Sequence, residues 1–139
     1  MKVMILIKAS AESEAGVLPD AALLSAMTAY NEALAQAGVL LAGEGLQPTS
    51  KGARVRFSGA ERTVIPGPFH ESGLIAGFWL WQVDSMDAAV EWLQRCPNPM
   101  PGETEVEIRR LYEAEDFGDL LTPELRERED KLRQATGDA

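Results

Sequence analysis

The stretch that decides the fold is Ile75-Ala76-Gly77-Phe78-Trp79-Leu80-Trp81-Gln82-Val83. Successive side chains of a strand point to opposite faces. Phe78 and Leu80 therefore share one face, and Trp79, Trp81 and Val83 share the other, so both faces are apolar. The opening Met1-Lys2-Val3-Met4-Ile5-Leu6-Ile7-Lys8 repeats the pattern, with Met4 and Leu6 opposite Val3, Ile5 and Ile7. Two strands of this kind belong to a sheet that is covered on both sides.

Between them, Leu18-Pro19-Asp20 opens a helix whose Leu23, Met27, Tyr30, Leu34 and Ala37 recur at spacings of four and three, and Gly38 ends it. Val39 to Leu46 returns to strand character, with Gly43 and Gly45 marking a bulge or a close backbone approach. Arg54 and Arg56 alternate with Val55 and Phe57, one face wet and the other buried, and Ser58-Gly59-Ala60 turns this strand toward Thr63-Val64-Ile65 as a hairpin. Pro66 to Gly73 is a loop, since two prolines and two glycines fall in eight residues. After the tryptophan strand, Ser85 caps a helix with an apolar stripe of Met86, Ala89 or Val90, and Leu93 that stops at Cys96-Pro97, and Val106 to Leu111 is a last strand.

The order predicts an α+β ferredoxin-like sandwich, β-α-β-β-α-β with an extra hairpin, over residues 1–111. Two helices cover one face of such a sheet. The other face, expected to carry Trp79 and Trp81, is then a large apolar patch of the kind that marks an interface. The expectation is a homodimer packed sheet to sheet, as a dimeric α/β barrel.

Composition narrows the function classes. The 139 residues suit one domain, and 45% apolar with 25% charged residues is globular. Thirteen Lys+Arg against 22 Asp+Glu give a net charge of −9, which opposes nucleic-acid binding. Residues 112–139 hold nine acids and four bases, −5 of the −9, leaving −4 for residues 1–111. This acidic extension reads as a solvated helix starting at Thr122-Pro123, with a thin stripe of Leu121, Leu125 and Leu132. One His and one Cys cannot build a zinc cluster or a disulfide framework, and a metal site would have to be built mainly from carboxylates; the expectation is no metal and no cofactor. The first strand is too short for a secretory signal, and no apolar run reaches the roughly 18 residues of a membrane span. The expected setting is cytoplasmic, with no membrane partner.

Gly43-Glu44-Gly45 lacks the Gly-Lys-Ser/Thr of a phosphate loop and the third glycine of a dinucleotide fingerprint. No Gly-x-Ser-x-Gly elbow is present. Cys96, at a helix C-terminus, reads as a packed residue, since the dipole there raises a thiol pKa. His70 and Glu71 are the candidate acid–base pair, because an unperturbed imidazole titrates near pH 6.5. The plainer alternative leaves His70 exposed and Glu71 bonded to the loop. Arg54 and Arg56 form either an anion site or a solvated strand face.

Several segments carry a resemblance: Gly43-Glu44-Gly45-Leu46-Gln47-Pro48, Gly67-Pro68-Phe69-x-Glu71, Ala76-Gly77-Phe78-Trp79-Leu80-Trp81 and Arg95-Cys96-Pro97. Together they closely resemble the DGPF branch of the YCII-related (YciI-like) family. Glu113-x-Glu115-Asp116-Phe117-Gly118 and Leu121-Thr122-Pro123-Glu124-Leu125 resemble a C-terminal extension common in that branch. The resemblance implies a ferredoxin-like fold that dimerises through its sheets, with a ligand or active-site cleft at the dimer, and some members lie beside sigma-factor genes. YciI-like relatives have a proposed catalytic pair, a His on the first helix and an Asp after the second. This chain offers Met27 and Tyr30 at the first place and Cys96-Pro97 near the other, so that pair is absent. Pro66 stands where the branch motif has Asp, His70 stands where a small residue is common, and the loop after Glu71 is about one residue short. Glu44 and Glu71 are the carboxylates that match.

The resulting expectation is a small dimer that binds a small organic ligand in a cleft under the 66–73 loop. Tyr30, Glu44, Pro68, Phe69, Trp79 and Trp81 are its expected contacts. Two alternatives stand beside it. One is a cofactor-free isomerase, lyase or dehydrochlorinase-like enzyme using His70 and Glu71, by fold-level analogy. The other is a regulatory or interaction protein linked to sigma-factor signalling, which the acidic extension and the family's gene neighbourhoods suggest.

Overall fold

The computed structural model describes residues 1–137; residues 138–139, the end of the expected extension, lie outside it. Strand β1 (Lys2–Lys8) is followed by a one-turn helix α1 (Ala11–Glu14) and the long helix α2 (Ala21–Gln36). Then come β2 (Leu40–Gly45), the hairpin β3 (Ala53–Ser58) and β4 (Glu61–Pro66), β5 (Ile75–Gln82), α3 (Met86–Gln94) and β6 (Val106–Arg110). A 3-10 segment (Ala114–Leu120) and α4 (Pro123–Ala135) complete the extension. The four-stranded sheet has the order β2-β5-β1-β6 and every pair in it is antiparallel, while β3 and β4 pair only with each other. The fold is α+β, consistent with a ferredoxin-like sandwich with a hairpin inserted between β2 and β5.

Local chemistry sets the helix ends. The Asp20 carboxylate accepts from Leu23 N at 2.8 Å to start α2, Ser85 Oγ accepts from Ala88 N at 3.0 Å to start α3, and Gly38, at φ 73°, ends the α2 turn in the left-handed region. The α1 turn, absent from the sequence reading, is held by reciprocal bonds between Ser10 and Ser13.

One expectation is reversed. Trp79 and Trp81 are buried with Val3 and Ile5 beneath α2 and α3, and the open face carries Met4, Leu6, Phe78 and Leu80, all half-buried. Both faces are apolar, so alternation alone does not rank them. The bulkier indoles go where a sheet and a helix layer must be spanned, against Tyr30 and Leu34 of α2. Burial of one such large side chain is worth about 1.5–3 kcal/mol. Trp81 Nε1 finds no partner there, and that desolvation offsets part of the gain.

The hairpin also differs from its expectation. It is exposed on both faces except at Ile65, with Val55, Phe57 and Val64 at 47, 71 and 67% of full exposure.

Candidate functional site

Strand glycines open the main cleft. Gly43 and Gly45 of β2 and Gly77 of β5 lie on the same, helix-covered side of the sheet as Trp79, with Gly43 paired to Trp79 and Gly45 paired to Gly77. Gly45 leaves its side-chain position open at this end of the sheet, while the Trp79 indole takes the place of a side chain at 43 and Gly77 sits against the Glu44 carbonyl. The result is a cleft of about 1020 Å³ whose walls include Leu18 before α2, Leu23, Leu24 and Met27 in the first half of α2, Leu46 beyond β2, and Met100 in the 98–101 loop.

Trp79 and Asn31 form its polar floor. The indole Nε1–H donates to Asn31 Oδ1 at 2.9 Å, which fixes the amide so that its NH₂ is the remaining donor. Tyr30 stacks edge-on against Trp79 at 5.7 Å between ring centroids. Of the expected contacts, Trp79 and Glu44 line this cleft, while Tyr30 and Trp81 do not. The Tyr30 hydroxyl is spent on Trp92 O at 2.6 Å, joining α2 to α3, and burial raises its pKa well above the ordinary phenol value. Trp81 is fully buried in the core, out of reach of a ligand.

The 66–73 loop is fastened elsewhere. Gly67 N donates to Gly52 O at 3.0 Å, Phe69 N donates to Thr49 Oγ1 at 2.9 Å, and the Arg54 guanidinium stacks 3.9 Å from the Phe69 ring centre while pairing with Glu71. Pro68 and His70 are exposed, and none of Pro68, Phe69, His70 and Glu71 lines the cleft. The expected pair is therefore not assembled: Glu71 faces Arg54 and His70 makes no hydrogen bond among the described residues.

The loop acts on the cleft through Thr49. Its hydroxyl donates to Glu14 Oε2 at 2.5 Å, and its N–H donates to Glu14 Oε1 at 3.1 Å. Phe69, Thr49 and Glu14 thus clamp the loop to α1, whose Glu12 and Ser13 form part of the cleft wall. The sequence reading passed over Thr49, Glu14 and Asn31. Only Thr49 and Glu14 had a local signal, a polar cluster beside Pro48 and before Gly16.

No group of three or more His, Cys, Asp or Glu is placed to hold a metal ion among the described residues. No helix is long and apolar enough to cross a membrane among them. The family model described as YCII-related domain matches residues 1–112. No curated protein matches the chain.

Proposed function

The chain belongs to the YCII-related family, and from that premise we propose that it is a homodimer binding a small, largely apolar organic molecule over Trp79. The observation that carries this reading is the glycine-floored cleft of about 1020 Å³ with one oriented polar pair, Trp79 and Asn31, in a mostly apolar wall. Ligand sites have this composition. Binding is favoured over acid–base chemistry because Asp20 caps α2, Ser10 and Ser13 bond each other, and the two unengaged carboxylates of the wall, Glu12 and Glu44, have no acid–base partner there. The chain's one histidine lies outside.

Dimerisation rests on the open sheet face, where Met4, Leu6, Phe78 and Leu80 form a contiguous apolar surface. Phe78 and Glu44 belong to both that face and the cleft lining, so the cleft borders the surface a second copy would cover. A single unpaired Cys96 suits a reducing compartment, the cytoplasm.

The test is a thermal-shift and calorimetric titration with 2-(1-naphthyl)ethanol, a neutral aromatic probe, on the parent and on Gly45→Phe. A Cβ at position 45 meets nothing within 4 Å, so the new ring fills the cleft without a clash at its root. The parent is expected to gain thermal stability with the probe, by mass action. The variant is expected to keep its fold and lose the response. Equal responses would place the probe elsewhere and defeat the proposal.

A further inference from the structure

The charge of the cleft points to the class of ligand it takes. Its wall contains three carboxylates, Glu12, Asp20 and Glu44, and no Lys, Arg or His. The chain as a whole has 13 Lys+Arg, so their absence is local to this wall. Asp20 is occupied at the N-terminus of α2. Glu12 and Glu44 are exposed and have no ion-pair partner among the described residues.

The two positive helix ends nearby do not offset this. The Asp20 carboxylate sits at the start of α2 and accepts from Leu23 N, and Ser10 Oγ accepts from Ser13 N at the start of α1. An anion entering the cleft would leave water with no cation to pair with, which is the costly case for a charge in an apolar setting. A cation meets two unpaired carboxylates, and a neutral molecule meets the Asn31 amide.

We infer that the cleft selects apolar amines and neutral aromatics and excludes carboxylates and phosphates. The inference rests on the binding reading above and adds the sign of the ligand's charge. Sugar phosphates, nucleotides and aromatic acids are thereby excluded as ligands of this site.

The test uses three ligands of one skeleton, 2-(1-naphthyl)ethylamine, 2-(1-naphthyl)ethanol and 1-naphthylacetate, titrated by calorimetry at pH 7. The amine should bind about tenfold or more tighter than the carboxylate, with the alcohol between, and 1 M salt should narrow the gap. Replacing the exposed Glu12 by Lys should raise carboxylate affinity and lower that of the amine, narrowing the gap between the two or reversing their order. A carboxylate that binds the parent as tightly as the alcohol overturns the charge selection while the binding reading stands. If none of the three binds, the binding reading itself fails, and the selection with it.

Discussion

Gly43 and Trp79 face each other across β2 and β5, and a Cβ at position 43 would lie 2.5 Å from the indole Cδ1. The indole occupies the space that a side chain at 43 would need. The indole nitrogen at that same edge donates to Asn31 Oδ1 at 2.9 Å. Gly43→Ala should push the indole off its seat and break the bond to Asn31. The expected cost is about 1–3 kcal/mol in urea denaturation, with a shift in tryptophan fluorescence. A variant with parent stability and spectrum would show that the indole has another place to go.

Thr49 is the second point of leverage. Its hydroxyl joins the loop at Phe69 to α1 at Glu14, so Thr49→Val removes two hydrogen bonds in one step while keeping the shape of the side chain. A loss of about 1–3 kcal/mol is expected, restored in large part by Thr49→Ser. If valine and serine behave alike, the hydroxyl is not the link. Gly67→Ala attacks the same joint from the backbone, because its Cβ would lie 1.7 Å from Thr49 O. It should destabilise by about 2 kcal/mol or more.

Most elements were legible because their signals are local. Short runs apolar on both faces marked β1 and β5, Asp20 and Ser85 marked helix starts, and Gly59 marked the hairpin turn. The side of the sheet that the helices choose was not legible, since Met4, Leu6, Phe78 and Leu80 are as apolar as the residues behind them. The cleft was half legible. Gly43 and Gly45 stood out as a close approach of backbone, but that Gly77 joins them on one face depends on the β2–β5 register, a long-range fact. His70 and Glu71 were chosen as neighbours in sequence, while Arg54, 17 residues before Glu71, takes that carboxylate away through the fold.

The proposed dimer makes a prediction on the open face. Leu80 is half-buried on the side away from the core, so Leu80→Glu should leave the monomer folded and place a charge in the sheet-to-sheet contact. Dimer affinity should fall about 30–100-fold, equivalent to about 2–3 kcal/mol, as read by light scattering across dilution. Native circular dichroism with an unchanged dimer mass would remove the sheets from the interface.

Cys96 provides a pH prediction with a definite sign. Burial pushes its thiol from 9.0 up to about 11, and Sγ donates to Pro97 O at 3.2 Å. At pH 8 the native thiolate should be scarcer than that of the unfolded chain by about 100-fold. Iodoacetamide should therefore modify the native protein far more slowly than the protein in urea, and the native rate should still be climbing at pH 10. Between pH 9 and about 11 the unfolded chain gives up this proton while the folded one holds it, so stability is intact below the window and falls across it. The buried Tyr30 phenol, also raised, extends the decline in the same direction at higher pH. The urea midpoint should drop between pH 8.5 and 10.5, and Cys96→Ala should flatten part of that drop. An alanine variant with the parent's full pH dependence would assign the decline to other groups.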